Sequence, residues 1–156
     1  MSFFSNKTST SKALWLVFAA VLVWYVSFGH KYGASIIDGT SMMPSFAHKE
    51  IIIFKKKSSE WKPKRFDSVV VKYNGEYLFK RIIALPGETV EIRKGFFYIN
   101  GKKLADPYDF DPVMSENYTS TPQILPKQTY FFIGDNRSES LFGKFTLRNV
   151  IGKVIF

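Results

Sequence analysis

The hydrophobic pattern of the chain changes once, near residue 30. Residues 13–29 carry no charged side chain and are flanked by lysines, whereas later apolar runs are short and separated by turn-forming residues. An uncharged run of about 17 residues is near the short end for a membrane-spanning helix. The pattern therefore predicts one N-terminal transmembrane anchor followed by a separately folded domain.

A cleavable signal peptide would also combine basic residues with an apolar run. However, no small-x-small cleavage site follows, because Tyr32 stands where a small residue is needed before Gly33-Ala34. We therefore favour an uncleaved anchor. Lys7 and Lys12 precede the run, and a basic flank favours a cytoplasmic N-terminus. We expect residues 1–12 inside the cell, residues 13–29 in the membrane and residues 30–156 on the outer side.

After the anchor, the pattern is typical of strands and tight turns. Asn74-Gly75 and Asn100-Gly101 favour two-residue hairpin turns. Pro86 and Gly87 occupy the central positions of a predicted type II turn. The predicted strands cover residues 35–37, 50–54, 67–73, 76–85, 89–93, 96–99, 102–104, 130–133 and 150–156. Many short strands with short connections predict an all-β, mainly antiparallel domain.

One long segment interrupts this pattern. Residues 105–127 are rich in Pro, Asp, Ser and Thr and lack periodicity, so we predict a surface excursion between strands. Its carboxylates invite a metal-site interpretation, but their spacing fits no recognised calcium loop, so we expect no metal. These carboxylates belong to Asp106, Asp109, Asp111 and Glu116.

Charge and composition narrow the choice of partners. The formal net charge is +9 and the chain has no cysteine, which excludes disulfides and thiolate zinc sites. Six of the 22 lysines and arginines lie at positions 55–57, 62, 64 and 65, interleaved with Trp61 and next to Phe66. Basic and aromatic residues together suit an anionic lipid surface. A solvated basic loop is an equally good interpretation.

Two residues offer a possible catalytic pair. Ser41 lies in a glycine-containing turn, but a serine hydroxyl needs a base before it becomes a good nucleophile. The two histidines are poorly placed, since His30 adjoins the anchor and His48 lies in a loop. Lys80 lies on the otherwise apolar face of a strand, where burial would lower its pKa. Taken singly, Ser41 could be an ordinary turn serine and Lys80 an edge-strand lysine in water.

A third segment could support this pair. Residues 134–137 read Gly-Asp-Asn-Arg and follow a strong predicted strand. Asp135 could pair with Arg81, and Ser140 could donate a hydrogen bond to a neutral Lys80 amine.

Three motifs, in order behind an anchor, resemble bacterial type I signal peptidases. They are Ser41-Met42-Met43-Pro44, the segment 80–90 that starts Lys80-Arg81, and residues 134–137. That family consists of membrane-bound Ser/Lys proteases that cut leader peptides from exported proteins, and the match covers essentially the whole chain. It implies a coiled, mainly antiparallel β-sheet catalytic domain behind one transmembrane helix.

The resemblance also implies roles for individual residues. Ser41 would be the nucleophile, with its backbone N–H in the oxyanion hole, and Lys80 would be the general base. The residues implied for the oxyanion hole and a shallow apolar pocket that accepts alanine-sized side chains are Gly39, Met42 and Phe79. Gly39 stands where some relatives supply a serine hydroxyl and can offer only its backbone, and Met42 could instead be a core residue. Those implied to brace the catalytic pair are Arg81, Asp135 and Ser140.

The chain departs from the family pattern after Ser140. The family usually continues with Asp-Ser-Arg, whereas Ser140-Leu141 runs directly into Phe142-Gly143. This suggests a specialised member, for example in pilin maturation, or a non-catalytic protein that binds exported peptides. A self-cleaving repressor shares the Ser/Lys pair but needs a DNA-binding domain, and the anchor argues against it. The expected partners are signal peptides and membrane lipid, with no nucleic acid and no cofactor, and we expect a monomer.

Overall fold

An apolar helix lies where the sequence predicts the anchor. The computed structural model describes residues 7–109 and 111–156, so residues 1–6 of the expected cytoplasmic segment lie outside it. The helix α1 (Lys7–Ser27) is followed by a single 3-10 turn. The stretch Ser11–Lys31 is long and apolar enough to cross a membrane. It belongs to the first of two units, which divide after Gly33.

The second unit is built almost entirely from antiparallel strands. The strands are β1 (Tyr32–Ile36), β2 (Ile51–Lys56), β3 (Ser68–Tyr73), β4 (Glu76–Ala84), β5 (Thr89–Arg93), β6 (Phe96–Ile99), β7 (Lys102–Lys103), β8 (Gln123–Ile124), β9 (Thr129–Ile133), β10 (Gly143–Thr146) and β11 (Val150–Val154). They form a seven-stranded sheet, ordered β1-β2-β11-β3-β4-β9-β10, and a four-stranded sheet, ordered β7-β6-β5-β8. The predicted all-β, mainly antiparallel class is confirmed.

The predicted turns adopt the expected backbone geometry. Asn74 and Gly75, between β3 and β4, have φ angles of 49° and 88°, as a two-residue hairpin turn of type I′ requires. Asn100 and Gly101 connect β6 to β7 in the same way, with φ angles of 51° and 79°. The Asn74-Gly75 turn fixes the register of β4 against β3, in which Lys80 faces Val69.

Strand β4 runs from solvent into the core. Its first four residues are exposed or half-buried, and the last five, from Lys80 to Ala84, are buried. Ile82 packs into a cluster with β3 and β9, whereas Ile83 packs against the second sheet. Lys80 therefore lies where β4 enters the core, with little access to water.

The structure differs from the sequence prediction in the segment 105–127. Val113 and Leu125 are completely or almost completely buried, and β8 pairs with β5, so this segment is only partly a surface excursion. The Val113 N–H donates to the carbonyl of Gly95 at 2.9 Å. Such contacts come from distant strands, which explains why no local periodicity predicted them. Residue 110 of this segment lies outside the described residues.

Candidate active site

Ser41 lies in a tight turn between β1 and β2. The Met43 N–H donates to the Thr40 carbonyl at 3.0 Å, and the Ser41 carbonyl accepts from the Asn136 N–H at 3.0 Å. A Cβ atom on Gly134 would overlap that Ser41 carbonyl and would also crowd Ser140 Oγ. The turn therefore docks directly on the segment that follows β9, and only glycine at position 134 permits this approach.

The Lys80 side chain ends beside the Ser41 hydroxyl. Its Nζ atom is 2.9 Å from Ser41 Oγ and 3.0 Å from Ser140 Oγ, and the residue is 5% exposed. Burial lowers the pKa of Lys80 to about 8, and the negative charge of Asp135 opposes part of this shift. A substantial fraction of the amine is thus neutral at mildly alkaline pH.

Ser140 has three partners that fix its hydroxyl. Its Oγ accepts from the Gly134 N–H at 2.7 Å and from Lys80, and it donates to the Leu141 carbonyl at 2.9 Å. The expectation that Ser140 donates to Lys80 is wrong in this arrangement, because the hydroxyl proton is used by Leu141. Ser140 instead accepts one amine hydrogen and so sets the direction of the others.

Arg81 and Asp135 form a buried ion pair near Lys80. The Arg81 guanidinium donates two hydrogen bonds, one to each carboxylate oxygen of Asp135. The Arg81 side chain is 4% exposed and the Asp135 side chain is 0% exposed. Arg81 also donates to the Phe66 carbonyl at 2.8 Å, and its guanidinium lies 3.4 Å from the centre of the Tyr108 ring. Most of the Asp135 charge is therefore compensated by Arg81, although the carboxylate still acts on Lys80.

Asp106, Tyr108 and Arg137 support the site but were not identified from the sequence. Arg137 is completely buried, donates to Asp106 Oδ2 at 2.6 Å and donates to the Gly134 carbonyl at 3.1 Å. Its Nη2 atom has no hydrogen-bond partner in the described part of the chain. Only the position of Arg137 in the Gly-Asp-Asn-Arg motif hinted at its importance. Asp106 had no local signal, and its carboxylate binds Arg137.

Of the three residues expected in the oxyanion hole and pocket, only Phe79 lines the cleft in front of Ser41. Met42 is fully buried, so it belongs to the core and does not form an exposed pocket wall. The Gly39 N–H donates to His48 Nδ1 at 3.0 Å and is therefore occupied. This hydrogen bond explains the position of the His48 side chain without a role as a base. Phe79 lines the cleft beside Ser41 and packs edge-on against Phe46 at 4.8 Å.

A shallow cleft of about 70 Å³ opens in front of Ser41. Its walls come from β1, β2, β3, β4 and the loop that holds Ser41. They combine apolar side chains with the polar groups of Ser35, Asp38, Ser41, Tyr77 and Lys80. A hydroxyl that lines such a cleft can attack a carbonyl group held in it when a neighbouring amine accepts the hydroxyl proton. The small volume suits small side chains.

Comparison with known proteins finds similar chains of one family. Residues 10–156 match the family model described as "Signal peptidase, peptidase S26". The chain is 33% identical to a signal peptidase I of Bacillus amyloliquefaciens, over 95% of this chain and 90% of that protein. It is 32% identical to signal peptidase I V of Bacillus subtilis (strain 168), over 76% and 80% of the two chains.

A solved structure is also similar. The crystal structure of a signal peptidase I from Enterococcus faecalis V583 superposes with a TM-score of 0.51 at 33% identity, covering 63% of this chain and all of that one. The fold and the sequence relatives agree along most of the chain. The chain belongs to the S26 family of signal peptidases, serine endopeptidases that remove signal peptides from preproteins.

Proposed function

We propose that Ser41 is the nucleophile and Lys80 the general base of this signal peptidase. The observation that carries the proposal is the distance of 2.9 Å between Lys80 Nζ and Ser41 Oγ. The lowered pKa of Lys80, about 8, supports it, because a base must be partly unprotonated near its working pH. His48 is held by Gly39, which leaves Lys80 as the base beside Ser41.

The hydrogen bonds around Lys80 orient its amine so that it can accept the Ser41 proton. A neutral amine has two hydrogens and one lone pair, and Ser140 Oγ accepts one hydrogen. The lone pair can then accept the Ser41 proton while Ser41 Oγ forms a bond to the scissile carbonyl carbon. Lys80 returns this proton to the amide nitrogen as the C–N bond breaks. A water molecule then gives a proton to Lys80 and attacks the carbonyl carbon of the acyl-enzyme. Lys80 returns this proton to Ser41 Oγ as the ester bond breaks, and the signal peptide is released.

The Ser41 backbone N–H is our candidate for an oxyanion donor. Within the described part of the chain it has no hydrogen-bond acceptor, whereas the Gly39 N–H is engaged by His48. One such donor contributes about 3–4 kcal/mol to stabilising the tetrahedral intermediate. The apolar cleft beside it, with Phe79 in its wall, would bind alanine-sized side chains on the signal-peptide side of the cut.

We further propose that α1 anchors the enzyme with residues 1–12 in the cytoplasm and the domain outside. Lys7 and Lys12 before the apolar stretch support this orientation. Protease added to intact spheroplasts should digest the domain, and a domain protected until lysis would contradict this orientation.

Lipid contact is proposed for a basic cleft of about 430 Å³ in the domain. It is lined by Lys55, Lys56, Lys62 and Lys64 around Trp61. Anionic vesicles that contain brominated lipid should quench Trp61 fluorescence in a variant with Phe at positions 15 and 24, and neutral vesicles with the same brominated lipid should not. Equal quenching by both vesicle types would favour a solvated basic loop.

Cleavage of one preprotein tests the catalytic proposal. The full-length enzyme in detergent should cut a preprotein with an Ala-x-Ala site, and Ser41→Ala or Lys80→Ala should each abolish cutting. Ser138→Ala and Lys102→Ala are matched controls at exposed positions and should cut normally. Retained cutting by either active-site variant would overturn the mechanism. Peptide binding by the unmodified enzyme without cutting would favour a non-catalytic binding protein.

A further inference from the structure

A second cleft adjoins Lys80, and Ser41 is not among the residues that line it. Its volume is about 270 Å³, and Tyr73, Leu78, Lys80 and residues 141–145 line it. Leu78 and Lys80 also line the smaller cleft in front of Ser41. The two clefts therefore meet at Lys80, and only the smaller one includes the Ser41 side chain. We name the larger one the Lys144 cleft.

The chemistry of peptide cleavage assigns different halves of the substrate to the two clefts. This step rests on the proposed roles of Ser41 and Lys80. The acyl half becomes bonded to Ser41, whereas the amine half takes its proton from Lys80. That amine is the first atom of the mature protein, so the mature chain must leave Ser41 past Lys80. We propose that the Lys144 cleft binds the first residues of the mature protein.

The short connection after Ser140 shapes this cleft. Only Leu141 and Phe142 separate Ser140, which bonds to Lys80, from the start of β10 at Gly143. The Phe142 ring packs 5.9 Å from that of Phe131, so this side of the connection faces the core. Leu141 faces outward and is 79% exposed. The connection thus places an apolar wall close to the leaving amine.

The charge of the cleft indicates which mature residues it selects. Lys144 in β10 is exposed and forms no ion pair within the described residues. Tyr73 packs edge-on against Phe145 at 5.4 Å and adds an apolar surface. An apolar wall beside the exposed Lys144 ammonium favours an acidic side chain among the first mature residues over a basic one.

A charge-reversal experiment tests this selectivity. Preproteins with one signal peptide would carry Asp, Gln or Lys at each of the first three mature positions in turn. For the full-length enzyme, kcat/KM should be about two- to fivefold higher with Asp than with Lys at one position, as one exposed ion pair can give. Lys144→Glu should reverse this ratio. The ratio compares substrates on the same enzyme, so partial misfolding does not change it.

Lys102→Glu provides the matched control. It makes the same charge change on β7 of the other sheet and lines neither cleft, so it should keep the wild-type ratio. An unchanged ratio in Lys144→Glu, or an equal change in Lys102→Glu, would overturn this inference. If Ser41→Ala and Lys80→Ala still abolish cutting in that case, the catalytic proposal stands and only the cleft assignment fails.

Discussion

The protonation state of Lys80 determines whether it can act as the proposed base. Burial lowers its pKa to about 8, and the nearby Asp135 charge limits the decrease. Because only the neutral amine can accept the Ser41 proton, kcat/KM should rise with pH and reach half of its maximum near pH 8. A pH series of preprotein cleavage by the full-length enzyme measures this limb. A half-maximum near pH 6.5, the ordinary range of histidine, would point to another base.

Ser140 is the second residue with a sharp prediction. Ser140→Ala removes the acceptor of the buried Gly134 N–H and of Lys80. An unpaired buried N–H costs about 1–3 kcal/mol of stability. We expect kcat/KM to fall at least about tenfold, since a well-placed general base contributes about 10²–10⁴-fold.

Ser138→Ala is the control for this change. Ser138 is exposed, and its hydroxyl makes one long hydrogen bond of 3.3 Å to Asn136. Unfolding and cleavage should both stay close to wild type. If Ser140→Ala retained the full rate and the wild-type pH limb, Ser140 would have no part in orienting Lys80.

The sequence could predict the proximity of Ser41 and Lys80, the proposed catalytic pair, better than their surroundings. A serine in a glycine turn and a lysine on an apolar strand face are local patterns, and the structure brings them within 2.9 Å. The direction of the Ser140 hydrogen bond could not be predicted, because it depends on a carbonyl of the following turn. The complete burial of Met42 likewise had no signal in the local sequence.

At the scale of elements, the segment 105–127 has a supporting role that its composition did not reveal. Asp106 lies 2.6 Å from the buried guanidinium of Arg137. Asp106→Ala would leave this charge unpaired and should lower the free energy of unfolding by about 3–5 kcal/mol. Urea unfolding of the full-length protein in detergent, followed by near-ultraviolet circular dichroism, measures the loss.

Two further variants separate charge from packing in this segment. Asp111→Ala, at an exposed position, should change stability by no more than about 0.5 kcal/mol. Combining Asp106→Ala with Arg137→Met should recover much of the loss, because the unpaired charge is then gone. A double variant as unstable as Asp106→Ala alone would show that packing, not charge pairing, is the main contribution.

The same scale explains which strands could be predicted. Runs next to Asn-Gly turns were recognisable, and β5 and β6 lie within their predicted bounds. In the β5–β6 turn, Lys94 has a φ of 48° and precedes Gly95. Lysine rarely adopts a positive φ, so this residue type does not predict such a turn. The strands β8 and β10 are short and polar or glycine-containing, and they form because β5 and β9 offer free edges.

At the scale of the whole domain, the site joins three distant segments on the seven-stranded sheet and its loops. The serine turn follows β1, Lys80 lies in β4, and Ser140 follows β9. Lys80 lies at the point where strand β4 enters the core. The burial that lowers the Lys80 pKa is therefore a property of the sheet, and it should also affect stability.

The lowered pKa of Lys80 means that a charged amine is buried at neutral pH at a cost to folding. Each pH unit by which a pKa is lowered costs about 1.4 kcal/mol, so the cost is about 3 kcal/mol below pH 8. The unfolded chain binds the extra proton between about pH 8 and 10.5, so in this window the Lys80 contribution to stability rises with pH.

Lys80→Met should therefore be more stable than wild type at pH 7, and the difference should shrink as the pH rises toward 10. Urea unfolding of both full-length proteins in detergent at pH 7, 8.5 and 10 gives this difference, in which the repulsion of the +9 net charge largely cancels. Lys102→Met, at an exposed position, should show no such trend. A difference for Lys80→Met that is constant across pH would mean that the folded domain does not lower the Lys80 pKa, and the proposed base would lose its physical basis.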